Sequence, residues 1–314
     1  MQYILIIIGF VLLIFGANYL VDGAIGIAKR FKVSDLVIGL SIVAFGTSAP
    51  ELVVNLFAAF DPASTDIALT NIIGSNQLNT FIILGTTAFV FPIKSQMSSR
   101  KFDIPLSLAA PLLLLIPAFF SHEVSRTDGI ILLIIFSVFM FVIARKAIKN
   151  RASHPEKSEG TGKLYKTGIY VLMVIGGLLL LAAGGKIIVH CATAIAESLG
   201  ISQSIIGLTI VALGTSLPEL ATSVVAAFKK NCDIALGNVI GSNIFNVFLV
   251  LGISATLRPL PVYQNMPVDL TIAALGSLLI LIFIMTNNKH EIKRWEGLLL
   301  LCVYFTYMAW TISS

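Results

Sequence analysis

Ten stretches of mostly apolar residues, each about one bilayer long, dominate this 314-residue chain and leave it little choice of surroundings. They fall at roughly 3–25, 35–60, 66–92, 104–121, 127–146, 168–194, 203–228, 233–256, 266–286 and 294–312. About 20 apolar residues in a helix cross the hydrocarbon of a membrane. Only helices or closed barrels satisfy their own backbone there, and runs of this length predict helices. The expected fold is therefore all-α: a polytopic membrane protein of ten transmembrane helices. Composition agrees, with 57% hydrophobic and 12% charged residues, against about 25% charged in ordinary soluble domains. That balance excludes a soluble enzyme, a disordered chain and a nucleic-acid binder. The N-terminal run Met1–Leu20 has no Lys or Arg before it, so it is expected to be a retained first span and not a cleaved signal peptide. Cys191, Cys232 and Cys302 lack any paired spacing and read as small buried hydrophobes.

The net charge of +5 sits in short loops. Eighteen of the 21 Lys and Arg residues follow odd-numbered spans, the largest group being Arg145, Lys146, Lys149, Arg151, Lys157, Lys163 and Lys166. Basic loops stay cytoplasmic, so these loops are expected inside and both termini outside. The polar stretch 147–167 reads as a cytoplasmic linker between two sets of five spans.

The two sets repeat. Residues 39–60, GLSIVAFGTSAPELVVNLFAAF, lie over residues 207–228, GLTIVALGTSLPELATSVVAAF, with 14 of 22 positions identical. A second block sets NIIGSNQLN (71–79) on NVIGSNIFN (238–246). Five spans per half is an odd number, so the halves 1–146 and 168–314 enter the membrane from opposite sides. This is the inverted-repeat plan of many secondary transporters, with the site expected between the repeats at mid-membrane. The paired motifs lie within 39–90 and 207–256.

Glu51 and Glu219 sit at matching places deep in spans. A charge at that depth costs about 2.5 kcal/mol or more, which points to a cation site. Pro50 and Pro218 lack an N–H, freeing carbonyls one turn earlier near Gly46 and Gly214. Such freed carbonyls at this depth are tolerated where they line a cavity or meet an ion. Asn71, Ser75 and Asn79 recur at i, i+4, i+8, as do Asn238, Ser242 and Asn246, placing each triplet on one interior stripe. Asn79 and Asn246 read as coordinating amides; Asn71 and Asn238, nearer helix ends, read as hydrogen-bond glue or caps. Asn76 and Asn243 point off the stripe and read as structural. The resulting ligand set is all oxygen, which suits Ca²⁺ or Na⁺ and not zinc or copper. Asp22 and His190 occupy matching places, as do Asn18 and Lys186; a latch across the pseudo-dyad competes with simple snorkelling of Lys186 and His190 to the interface, which is the preferred reading.

These blocks resemble the α-repeats of the sodium/calcium exchangers, within the calcium/cation antiporter superfamily and of prokaryotic type. GTSAPE and GTSLPE resemble the first-block motif, GSNQLN and GSNIFN the second. The resemblance implies alternating access, with Ca²⁺ and Na⁺ competing for one cluster. It puts the central carboxylates on Glu51 and Glu219. Hydroxyl or carbonyl ligands fall on Thr47, Ser48, Thr215 and Ser216, further hydroxyls on Ser75 and Ser242, carbonyls on Ala44 and Ala212, and amides on Asn79 and Asn246. Three departures stand out. Many members carry Asp where this chain has Asn246; Thr70 stands where the second repeat has Gly237; and no acidic regulatory domain interrupts the linker. Two ionised glutamates balance one Ca²⁺ or two Na⁺, so the family's three-to-one exchange is not demanded by this set.

The expected protein is a plasma-membrane antiporter, not an enzyme, with no cofactor. A phosphate-binding GxxxxGK[ST] loop is absent, and no nucleotide or nucleic acid is expected to take part. Its partners are Ca²⁺, Na⁺ and the lipid bilayer, and a monomer is expected to suffice. Spans 1 and 6, long and glycine-bearing, are expected to slide or tilt against a core of spans 2, 3, 7 and 8. Two rivals remain open: a cation/proton antiporter on the same scaffold, since a buried carboxylate can carry H⁺, and a cation channel or receptor.

Overall fold

The computed structural model describes residues 2–60, 65–121, 123–153, 165–199 and 212–313, and almost all of them are helical. In chain order the helices are α1 (Gln2–Phe31), α2 (Asp35–Thr47), α3 (Ala49–Phe60), α4 (65–90), α5 (Ser99–Phe120), α6 (Arg126–Ser153), α7 (Thr167–Ser198), α8 (Ala212–Thr215), α9 (Leu217–Phe228), α10 (Cys232–Leu257), α11 (Met266–Thr286) and α12 (Arg294–Ser313). Six of these are long and apolar enough to cross a membrane, and the bent pair α2–α3 makes a seventh. Large apolar side chains such as Ile7, Phe57, Phe120, Phe141, Leu172 and Phe305 stand exposed on the outer helix faces, which is how a bundle in lipid presents itself. The first part of the span expected at 203–228, and residues 207–211 of its repeat motif, lie outside the described residues. The linker expected from 147 starts later than the sequence suggests, because α6 runs on through Ser153.

α10 is the axis of the bundle. In its most apolar stretch 94% of residues are buried, against 33%, 28% and 22% for α1, α7 and α6. Gly237 and Gly241 let α2 approach it: a Cβ on Gly237 would lie 3.0 Å from the Leu36 carbonyl oxygen, and one on Gly241 2.6 Å from Ala44 Cβ. α1 and α7 form the most extensive helix pair among the described residues, at the periphery. They run antiparallel and meet through glycines seven residues apart. Gly9 lies against Gly184, Gly16 against Gly177, and Gly23 against Tyr170.

Two small antiparallel pairings tie loops at the bundle's ends. β1 (Ile93–Lys94) pairs with β4 (Glu291–Ile292), and β2 (Glu123–Val124) pairs with β3 (Leu260–Pro261). The first joins the loops after α4 and α11; the second joins those after α5 and α10. At the β1–β4 end, Gln96 bonds Asp233 at 2.6 Å and Asn231 bonds Asp35 at 2.6 Å. Lys229 pairs there with Asp22 at 2.6 Å, and Lys146 with Asp103 at 3.3 Å. Asp22 is thus taken by Lys229, away from the Lys186 and His190 partners of the latch reading, because Lys229 at the end of α9 sits beside α1. At the other end Tyr263 and Tyr307 both donate to Asp269 at 2.6 Å. Burial and that carboxylate hold the Tyr263 phenol well above its ordinary range, so it stays a donor.

Candidate cation site

The two GTSxPE motifs break their helices where the prolines dictate. Ser48 (φ −82°, ψ 4°) separates α2 from α3, which bend by 46°, and Ser216 (φ −88°, ψ 0°) separates α8 from α9. Each break is followed one residue later by Pro and then Glu, so Glu51 and Glu219 lie in the first turn of α3 and α9. There the unbonded N–H groups and the positive helix end favour a carboxylate.

Both glutamates are 1% exposed. They lie close enough to repel each other. Hydroxyls from the opposite motif reach them: Ser48 Oγ donates to Glu219 Oε1 at 3.1 Å, and Thr215 bonds the Glu51 carboxylate. Thr47 and Ser242 also face Glu219. The Thr47 hydroxyl lies 3.0 Å from Asn238 Oδ1, and Asn238 in turn donates to the Glu219 carbonyl at 3.3 Å and to Ser223 at 2.9 Å. On the other side Asn71 donates to Asn55 Oδ1 at 2.8 Å, and Asn55 to the Ala68 carbonyl at 3.0 Å. Asn71 and Asn238 therefore stitch neighbouring helices.

α4 and α10 each contain a π-helical stretch, Leu78–Ile83 and Phe245–Leu251, at matching repeat positions. These widened turns, which are frequent at functional sites, carry Asn79 and Asn246. A chain of three amides ending on a threonine hydroxyl crosses between the two helices. Asn246 donates to Asn76 Oδ1 at 3.0 Å, Asn76 to the Asn243 carbonyl at 3.2 Å, and Asn243 to Thr80 at 2.9 Å.

What remains unbonded is informative. Among the described residues, seven oxygens of the expected set are buried without a hydrogen-bond partner: Glu51 Oε2, Glu219 Oε2, Ser75 Oγ, Ser242 Oγ, Ser216 Oγ, Asn79 Oδ1 and Asn246 Oδ1. Six of the seven form matched pairs from the two halves. An unpartnered buried polar group costs about 1–3 kcal/mol, so a set of unpartnered oxygens that includes two carboxylates suits a bound hard cation. Beyond the two glutamates every member is neutral, and among the described residues no trio of His, Cys, Asp or Glu comes together. Ser75, Asn79 and Ser216 make no direct hydrogen bond to either carboxylate. The Ala44 carbonyl already accepts from the Ser48 N–H at 3.0 Å and lies 3.3 Å from the Thr47 hydroxyl, so it is not among the unpartnered acceptors. Ala212 opens α8.

Sequence reading missed Asn55 and Ser223, both fully buried; their one signal is that they occupy matching repeat positions. Asn76 and Asn243, read as structural, bond across the helices, and Asn76 holds Asn246 by its amide nitrogen.

The comparisons agree along the full length. The family described as sodium/calcium exchanger protein matches residues 1–145 and again 169–313. A putative antiporter, CaxA, of Alkalimonas amylolytica is 35% identical, covering 99% of this chain and 98% of its own. The sodium/calcium exchanger MaX1 of Methanosarcina acetivorans is 34% identical, covering 98% and 97%. Among solved structures, the sodium-calcium exchanger NCX_Mj soaked with 2.5 mM Na⁺ and 10 mM Sr²⁺ superposes with a TM-score of 0.83 at 32% identity, covering 98% of each chain.

Proposed function

The chain belongs to the sodium/calcium exchanger protein family, and from that premise we propose that it exchanges Na⁺ for Ca²⁺ across the plasma membrane by alternating access. The observation that carries this reading is the set of seven unpartnered buried oxygens, two of them on Glu51 and Glu219 and all on the motif helices. The ligands are those two carboxylates, the hydroxyls of Thr47, Ser48, Thr215, Ser216, Ser75 and Ser242, the amide oxygens of Asn79 and Asn246, and backbone carbonyls at Ala44 and Ala212. Na⁺ and Ca²⁺ are nearly equal in size and compete for the same oxygens, so one leaves before the other binds. No covalent step and no cofactor are needed.

The protein is read as ten spans in two inverted halves, 1–146 and 168–314. Four features support it: the twofold family match, the π turns at matching positions, the reciprocal Gly9–Gly184 and Gly16–Gly177 contacts, and loop pairings that join only loops expected on one side. The β1–β4 end is the cytoplasmic one, and both termini are outside. One chain contains the complete ligand set and suffices for transport.

Asn246 marks where this chain sets its own ion balance. Asn246→Asp adds a third carboxylate and removes the N–H donated to Asn76. We expect it to change either the Na⁺:Ca²⁺ flux ratio or the Ca²⁺ affinity by at least fivefold, measured as coupled ²²Na⁺ and ⁴⁵Ca²⁺ fluxes in vesicles. An unchanged ratio together with unchanged affinity would put Asn246 outside the ion path.

A further inference from the structure

A cavity of about 1100 Å³ lies beside the site, with Thr47 and Thr215 in its wall. It opens between α7 and the two broken helices, and its wall is largely apolar. Along α7 it extends from Ile175 to Thr193, about 27 Å at 1.5 Å per residue. Its apolar end along α7 is Ile175, Leu178, Leu179 and Ala182; its other end carries Lys186 and His190. Both are exposed, and neither has a hydrogen bond or ion pair among the described residues. α7 has 32 residues, about 48 Å, so a centred helix overhangs the ~30 Å hydrocarbon by about 9 Å at each end. Lys186 then lies about 9 Å below the outer edge of the hydrocarbon, and His190 about 3 Å below it. An ammonium at that depth needs an anionic partner or a path to the interface.

We propose that this cavity binds an anionic phospholipid of the outer leaflet, its phosphate at Lys186 and His190 and an acyl chain along Leu179 and Ala182. The polarity gradient of the wall matches that amphiphile end for end. The volume exceeds the roughly 300–1,000 Å³ of ordinary ligand pockets, so it admits a chain, and the cationic end supplies for an outer-leaflet phosphate the same charge pairing that basic pockets between spans supply on the cytoplasmic side. The floor is formed by Gly46, Thr47, Gly214 and Thr215 at the two helix breaks. A bound chain therefore packs against the elements that carry Glu51 and Glu219, and couples lipid identity to exchange rate.

The test is native mass spectrometry of the delipidated full-length protein titrated with phosphatidylglycerol, phosphatidylcholine or oleate. The expected result is at least fivefold greater retention of phosphatidylglycerol than of phosphatidylcholine. Lys186→Ala is expected to reduce that retention at least fivefold, Lys186→Arg to preserve it, and Ala182→Trp to block it by filling the cavity without changing charge. Equal retention of the two phospholipids, retention unchanged in Lys186→Ala, or retention of oleate alone would each overturn the proposal. Binding is read without any flux, so the outcome is separate from that of the exchange reading.

Discussion

Glu51→Gln and Glu219→Gln are each expected to lower Ca²⁺ exchange at least a hundredfold while leaving the protein folded. Two unit charges about 4 Å apart interact by about 4 kcal/mol at an effective dielectric near 20, and a divalent ion doubles this. Even a third of that sum, about 2.7 kcal/mol, is close to a hundredfold in affinity. Gln keeps the size of the side chain and can still accept from Ser48 or Thr215. It also removes the repulsion between two buried carboxylates. The melting temperature in ion-free detergent should therefore be unchanged or higher, and Ca²⁺ should no longer raise it, because a ligand stabilises only the state that binds it. Wild-type flux in either variant would remove the glutamates from the site; a collapsed fold would mean they are structural.

Gly177→Val is expected to cut exchange at least tenfold and to lower the melting temperature by several degrees. A Cβ at this position would lie 2.6 Å from the Leu20 nitrogen and 2.7 Å from the Gly16 carbonyl oxygen. Both are backbone atoms, so α1 and α7 must separate; overpacking of this kind costs about 1–3 kcal/mol. The adjacent Gly176 supplies the control, since a Cβ there meets nothing within 4 Å. Gly176→Val should behave as wild type in flux and in thermal stability. Equal behaviour of the two variants would dissociate the glycine contact from transport and from stability alike.

The candidate site was legible because its motifs are written twice. A glutamate deep in an apolar stretch is costly once; two at matching positions, each just after a Gly and a helix break, face hydroxyls of the opposite motif in the structure. The side assignment also had a physical basis in the sequence, and the loops it grouped by Lys and Arg are the ones that β1–β4 and β2–β3 join. Other features depend on tertiary contacts that carry no local signature. The π turns at Asn79 and Asn246 arise within helices whose composition is ordinary. The Asn246–Asn76–Asn243 chain depends on α4 and α10 crossing at one depth, which spacing along a single helix does not reveal. Asp22 finds Lys229 and not its repeat-related partner, because the short turn after α9 swings a lysine back toward α1. The extension of α6 through Ser153 adds more than a turn to a segment whose polar composition reads as linker.

The central claim is sodium-driven calcium exchange, and ⁴⁵Ca²⁺ uptake tests it most directly. Proteoliposomes loaded with Na⁺ are diluted into Na⁺-free buffer containing ⁴⁵Ca²⁺, beside vesicles that carry only a pH gradient. Uptake that requires internal Na⁺, and is absent from the pH-gradient vesicles, is the predicted result. Uptake driven by the pH gradient without Na⁺ would contradict it and make the same oxygens the site of a proton-coupled antiporter.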